Sequence, residues 1–544
     1  MLYKKRSQLI TPNALIGLTT VSDPILAPSM DPRISPIVLL LVVLSYFAVL
    51  MIISAFTSKK ASNESFFIGE RKSPWYLVAI GMIGATLSGV TFISIPGWVQ
   101  GDQFSYMQMV LGYLLGYFVI ATVLMPMYYR LGLTSIYTYL DQRFGVVSYK
   151  TGAAYFLLSR TIGAAFRLYL VALVLDAFVM GPLGIGFPAT VAIAIVLIWI
   201  YTFRGGIRTI IFTDTFQTLF MLTAVVASII SLCSLMDSSV GEMITRVQDS
   251  EMSQMFHWES GWSEKKNFFK RFLAGAFIAL TMTGLDQDMM QKNLSCKSLG
   301  DAQKNMFSFS IILVVAKLIF LFLGAVLYLY MAEQNIEMPT RLVGGELKVA
   351  TDLVYPTIAM EYLPIGVSII FILGLVAAAY SSADSALTAL TTSFCIDFLG
   401  FEKRTSESKI ADRTQDVIIE AKYKRQRVIV HIAFSIVLYF VILFFWSLQN
   451  DAIIAEIFKA AGYTYGPLLG LYAFGFLSKR QVIDNYVWLI CLLSPLLTYV
   501  IVQNSEMLLG GYKFDFEHLI LNGFLTFVGL FITSLLRASR RLQE

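Results

Sequence analysis

The residues with the most chemistry in this chain are oxygens set among apolar neighbours. The run Ala377-Ala378-Ala379-Tyr380-Ser381-Ser382-Ala383-Asp384-Ser385 carries three hydroxyls and a carboxylate in close succession. On a helix, Ser381, Asp384 and Ser385 share one face and Ala378 and Ser382 a neighbouring one, which gathers the oxygens into a compact cluster. Oxygen donors without nitrogen or sulfur suit a hard cation such as sodium. The alternative is that the hydroxyls bond back to their own helix carbonyls and that Asp384 pairs with a basic residue. Asp214, in Ile210-Ile211-Phe212-Thr213-Asp214, is a second carboxylate in an apolar setting. A carboxylate at the centre of a membrane helix costs about 2.5 to 3.5 kcal/mol, so it calls for an arginine, a cation or water beside it.

Positive groups occur in the same apolar surroundings: Arg160, Arg167, Lys317 and Lys459. Arg160 and Arg167 are seven apart and share a helix face. A guanidinium there could hold a solute carboxylate bidentately, next to the hydroxyls of Thr86, Ser88 and Thr91, or it could pair with Asp176 or Asp286. The four cysteines and three histidines stand singly, at Cys233, Cys296, Cys395 and Cys491 and at His257, His431 and His518. That scatter excludes a disulfide scaffold, a zinc module and a CxxC redox pair.

The elements that must position these groups follow from composition. Of 544 residues, 57% are hydrophobic and 14% charged, against roughly 25% charged in soluble domains. The chain is therefore expected to be an integral, all-helical membrane protein. A crossing needs about 20 apolar residues. Thirteen runs of that kind fall near 35–57, 74–97, 105–129, 151–179, 187–203, 209–235, 269–291, 305–331, 364–397, 428–447, 452–477, 484–503 and 517–536. Lysine and arginine concentrate after the odd-numbered spans, which predicts an outside N-terminus and a cytoplasmic C-terminus at 537–544. The net charge of +5 reports that orientation, and no nucleic-acid partner is indicated. Residues 1–33 do not read as a signal peptide, because Lys4, Lys5 and Arg6 are followed by Thr11, Pro12 and Asn13. They are expected to be a disordered extracytoplasmic leader, with a second start conceivable at Met30. The inner segment 398–427 reads as a solvated linker, and the outer loops 236–268 and 332–363 as carriers of short surface helices.

Two spans have flexible, polar centres. Span 2 contains Gly81, Gly84, Thr86, Ser88, Gly89 and Thr91; span 7 contains Gly275, Thr281, Thr283, Gly284 and Asp286. Glycine makes unwinding cheap, and an unwound turn at mid-membrane frees backbone groups that must face a ligand or water. Small residues also allow close helix packing, which is the plainer account of either span alone. Two breaks at matched positions point instead to inverted repeats with a site at their interface.

With these features goes the segment Tyr129-Arg130-Leu131-Gly132-Leu133-Thr134-Ser135-Ile136-Tyr137-Thr138-Tyr139-Leu140-Asp141-Gln142-Arg143-Phe144-Gly145, the stretch from Gly205-Gly206 to Asp214 and Gln217, and Asp286-Gln287 with Gln291. Together they make residues 35–500 resemble the sodium:solute symporter family, which includes galactose, proline and sialic acid transporters. The resemblance implies a LeuT-type fold of five-plus-five inverted repeats, spans 2–6 (74–235) and 7–11 (269–477), with one helix before and two after, as one transporter domain over 35–536. It implies a sodium site of Gly84, Leu87, Ala378, Ser381 and Ser382. A second sodium site would map to Asp214, Ser381 and Ser385 with Asp384, which stands where some sialic acid transporters have a hydroxyl. Thr86, Ser88 and Thr91 match the hydroxyl triplet that holds a carboxylate in those transporters, and Lys317 resembles a sugar-contacting lysine of the galactose carriers. Met282 and Thr283 replace the aromatic gate of the sugar carriers, which disfavours plain hexose. Gln108 and Thr283 complete the expected solute contacts. The expected function is sodium-coupled import, across a cell membrane, of a small anionic sugar acid or carboxylate, with sodium and membrane lipid as the other partners. A transport-dead solute sensor, neutral sugar or amino acid symport, and an intramembrane hydrolase using Asp214 and Asp384 are the rivals.

Overall fold

The computed structural model describes residues 34–58, 63–343, 346–401, 413–448 and 451–543. The expected leader, 1–33, lies outside them. Fourteen principal helices are numbered here in chain order: α1 (Pro36–Thr57), α2 (Trp75–Thr86), α3 (Gly89–Asp102), α4 (Tyr106–Val119), α5 (Val146–Leu175), α6 (Phe187–Leu235), α7 (Phe268–Ala279), α8 (Gln287–Leu294), α9 (Leu299–Gln334), α10 (Ile365–Ser393), α11 (Arg413–Leu448), α12 (Asp451–Leu477), α13 (Val487–Gln503) and α14 (His518–Gln543). Among the described residues nine helices are long and apolar enough to cross a membrane, or ten when the bent pair α7 and α8 counts as one span. Each of the thirteen expected runs falls on helix. Two of the runs outside that nine or ten are short, α2 and the segment Phe187–Phe203.

The apolar surface is turned outward, as lipid requires. Leu41, Phe56, Ile311, Phe440 and Leu496 are exposed, whereas Asp214, Asp286, Asp288, Lys292 and Asp384 are buried. Spanning segments must satisfy their backbone internally, so helix packs on helix. α10 lies against α6 and α5, α2 against α6, α3 against α9, and α4 against α7. Near the middle of α6, Gly206 adopts φ 52°, ψ −140°, a left-handed kink that separates expected spans 5 and 6. A side chain there would strike the Phe66 ring.

Three segments differ from expectation: 398–427, 332–363 and 537–544. Half of the supposed inner linker is helical, because α11 starts at Arg413. Within it Arg427 is buried, stacks over Phe66 at 4.2 Å and donates to Asn63 Oδ1 at 2.8 Å. The loop 236–268 holds a short helix, Val240–Gln248, capped reciprocally by Ser239 and Glu242, as expected. The loop 332–363 holds a helix, Val354–Glu361, and also an antiparallel pair, Thr340–Val343 with Glu346–Val349. The tail expected at 537–544 continues α14 to Gln543.

Candidate ion and solute site

The break in span 2 sits between α2 and α3. Leu87 takes φ −80°, ψ 71° and Ser88 an extended φ −72°, ψ 174°. The Leu87 amide still closes on Ile83 and the Phe92 amide on Ser88, at 2.7 and 3.0 Å. Between those bonds, the carbonyls of Gly84 and Leu87 receive no donor from the described residues. The Ala85 carbonyl accepts from Ser382 Oγ of α10 at 3.3 Å. Gly84 is the close approach: a Cβ there would lie 3.1 Å from Ser381 Oγ and 3.3 Å from the Asp214 carbonyl. Gly84, Leu87, Ala378, Ser381 and Ser382 are thus on segments held against each other, with unused carbonyls on one side and hydroxyls on the other. That is a hard-oxygen donor set of the kind sodium takes.

The break in span 7 bends α7 from α8 by 64°. A π-helical turn, Leu280–Gly284, is followed by Asp286, whose Oδ1 caps α8 by accepting from the Asp288 and Met289 amides at 2.9 and 3.3 Å. Its Oδ2 accepts from the Tyr465 hydroxyl of α12.

Below the span 2 break the carboxylates are engaged. Asp214 Oδ1 accepts from Ser381 Oγ at 2.8 Å, and Oδ2 pairs with Lys292 Nζ of α8 at 2.7 Å. Asp384 Oδ2 accepts from the Tyr201 hydroxyl at 2.7 Å, and Oδ1 from the Ser385 amide. Ser385 Oγ donates to Asp288, which also pairs with Arg160. The four residues expected for a second ion thus fall into two bonded groups, Asp214 and Ser381 with Lys292, and Asp384 and Ser385 with Tyr201 and Asp288, close enough to interact electrostatically. Arg160 reaches Asp288 first and Asp286 at 3.9 Å. Asp176, its other expected partner, instead accepts from Thr190 at 3.1 Å.

Above the break lies a cavity of about 200 Å³. It is lined by Thr86, Ser88, Thr91, Arg160, Arg167, Thr283 and Lys317, together with Tyr113, Tyr117, Trp98 and Met282, and by no acidic residue among the described ones. Lys317 Nζ donates to Thr91 Oγ1 at 2.9 Å and lies over the Tyr106 ring at 5.6 Å. Thr86 Oγ1, Arg160 Nε and Arg167 Nη1 are buried without a hydrogen-bond partner. Buried polar atoms of this kind normally find one. Gln108 is the exception among the expected contacts: it does not line the cavity. Its Nε2 donates to the Ser105 and Lys266 carbonyls at 3.2 and 3.1 Å and its Oε1 accepts from the His257 amide at 3.2 Å, so its amide fastens loops.

Lys292 and Asp288 were not singled out by sequence. Span 7 was expected to end at 291, which put Lys292 in a loop. Their i, i+4 spacing after a polar break was the available signal.

Comparison with known proteins agrees with this arrangement. The family model for the sodium:solute symporter family matches residues 66–482. A sodium/sialic acid symporter of Proteus mirabilis is 25% identical over 448 residues, 81% of this chain and 84% of that protein. Another, from Aliivibrio fischeri, is 26% identical over 382 residues, 67% of this chain and 71% of that one. A solved Na+-coupled sialic acid symporter, described in a substrate-bound outward-open state with a novel Na+ site, superposes with a TM-score of 0.73 at 20% identity. The superposition covers 92% of this chain and 98% of that one. The match of fold and motifs over most of the length makes this chain a sodium-coupled transporter and not an enzyme: it belongs to the sodium:solute symporter family.

Proposed function

We propose that the chain carries a small anionic solute, a sugar acid or hydroxylated carboxylate, into the cell together with sodium. The observation that carries this reading is the cationic cavity, without an acidic lining residue among those described, where Arg167 and Lys317 stand beside unpartnered Thr86, next to the free carbonyls of the span 2 break. A cationic enclosure without carboxylates costs less when an anion fills it. Charge-assisted bonds from a guanidinium and an ammonium supply the affinity. The sialic acid symporters among its relatives support the same class of solute.

Sodium is held by the Gly84, Leu87 and Ala378 carbonyls and the Ser381 and Ser382 hydroxyls. It ties α2 to α10 and so sets the shape of the segment from Thr86 to Thr91 that meets the solute. Each ligand then tightens the other by the same factor. The scaffold is read as LeuT-type inverted repeats, spans 2–6 and 7–11, among thirteen crossings with the N-terminus outside. Each charge crossing 100 mV contributes about 2.3 kcal/mol, roughly fiftyfold in accumulation.

The test is a thermal-shift screen of purified full-length carrier against sugar acids, hydroxy acids and neutral hexoses, in sodium and in choline. Stabilisation by acids in sodium only is expected. Equal stabilisation by a neutral hexose, or equal stabilisation by acids in choline, overturns the reading. Uptake of the stabilising acid into proteoliposomes then separates a carrier from a sensor.

A further inference from the structure

We propose that Lys292 is a tethered cation standing where a second transported sodium would sit, so that this carrier binds a single sodium per cycle. The inference rests on the sodium site proposed above, and it concerns the neighbouring cluster of Asp214, Ser381, Asp384 and Ser385.

Lys292 comes from α8, the inner half of the broken span 7. Its side chain is 1% exposed, and its Nζ lies 2.7 Å from Asp214 Oδ2, whose own side chain is 0% exposed. The same ammonium is within electrostatic reach of Asp384. A single positive charge thus serves both carboxylates of the cluster, as a bound alkali cation would. No oxygen of these two carboxylates is idle. Asp214 Oδ1 takes the Ser381 hydroxyl, Asp384 Oδ2 the Tyr201 hydroxyl and Asp384 Oδ1 the Ser385 amide. Ser385 Oγ is turned to Asp288, which Arg160 neutralises.

The ion pair sets the stoichiometry. Buried carboxylates at membrane depth are tolerated when cations match them. Lys292 matches Asp214 directly at 2.7 Å, while Asp384 is held by the Tyr201 hydroxyl and the Ser385 amide. A second sodium would leave the cluster with an excess cation next to an ammonium, at a depth where repulsion is poorly screened. A lysine also differs from sodium in one respect that matters for coupling: it cannot leave for the cytoplasm when the carrier opens inward. It fastens α8 to α6 permanently, in the manner of an ion that is never released. Removing the ammonium reopens the position, because Asp214 then needs another cation.

The experiment is equilibrium binding of radioactive sodium, without solute, to full-length protein in lipid nanodiscs. Wild type is expected to bind a single ion per chain with no cooperativity. Lys292→Met is expected to double that capacity, and Lys292→Arg to leave it as in wild type. Lys292→Gln, which retains a donor for Asp214, replaces the methionine variant should the latter not fold. A wild-type capacity of two ions overturns the tethered cation and leaves sodium symport intact. An unchanged capacity in both neutral variants also overturns it, since an ordinary structural ion pair predicts that result. No binding by wild type overturns the sodium site itself, a different failure with a different reading.

Discussion

Ser381 donates its hydroxyl hydrogen to Asp214 at 2.8 Å, while the same oxygen lies 3.1 Å from where a side chain on Gly84 would begin. The bond fixes the hydroxyl's orientation: with its hydrogen committed to the carboxylate, its lone pairs are available to a cation at the break. Asp214 thereby acts on the proposed sodium site through Ser381 and not as a direct ligand.

Ser381→Ala removes a donor oxygen and the partner of Asp214 at once. Bonds to charged groups contribute about 1.5 to 3 kcal/mol, so sodium affinity should fall about tenfold or more. A sodium titration followed by thermal stability reads this directly, and an unchanged midpoint in Ser381→Ala would remove this residue from the site.

Gly84→Ala places a methyl group into contact with the Thr218 and Ser381 hydroxyls and the Asp214 carbonyl. Overpacking of this kind costs about 1 to 3 kcal/mol. The separation of α2 from α6 and α10 must grow, so the sodium midpoint should rise with it. Gly366→Ala, where a Cβ meets nothing within 4 Å, is the matched control: it should raise stability by about 0.4 to 1 kcal/mol and leave the ion response unchanged.

The two arginines of α5 should fail differently. Arg160 neutralises buried Asp288, so Arg160→Gln leaves that carboxylate unpaired and should cost about 3 to 5 kcal/mol of stability. Arg167 has an unpartnered Nη1 in the cavity. Arg167→Gln should leave sodium binding as it is and weaken a stabilising anion roughly ten- to a hundredfold, the equivalent of a lost charge-assisted bond. Lys317→Met should do the same. Matching losses of fold stability in Arg160→Gln and Arg167→Gln would contradict this division.

Acid should act through the loop before α14. Burial pushes the Asp515 carboxyl up to about 6; Arg271, 3.8 Å away, pulls it back only partly, and Glu517 adds to the rise. The folded value lies above the unfolded one of about 3.9, so between the two the folded state holds more protons. Its contribution to stability is therefore full below about pH 4 and is lost as pH rises through 6. Asp515→Asn mimics the protonated form. At pH 7.5 it should be more stable than wild type, with the gap closing toward pH 4, as thermal unfolding across pH would record. A gap that widened on acidification would have the wrong sign.

Much of this was legible in the sequence because glycine and hydroxyl residues are out of place at the centre of an apolar run. Gly84, Thr86, Ser88 and Gly89 located the α2–α3 break within a residue or two, and Gly284 with Asp286 the bend before α8. The oxygen run from Ser381 to Ser385 was legible from helical spacing, which fixes a shared face whatever the tertiary structure. What spacing cannot supply is which face meets which helix. Asp288 and Lys292 looked like the polar rim of span 7, because a hydropathy window ends at the first charges it meets. Burial by α6 and α10 makes them interior. Gln108 misled for the complementary reason: a polar residue on a membrane helix reads as a ligand, while two of its three partners, Lys266 and His257, come from a distant segment whose path no local pattern encodes.

The split of labour along span 2 has a practical corollary for anyone wishing to redirect this carrier to new cargo. Arg167 and Lys317 approach the cavity from α5 and α9, remote in sequence from the unwound turn, and can be diversified as an independent module. Residues 84 to 88 offer no such freedom, because the unused carbonyls of Gly84 and Leu87 and the cavity-lining side chains of Thr86 and Ser88 alternate along one turn, so under the proposed sites a library built there would alter the energy source along with the taste.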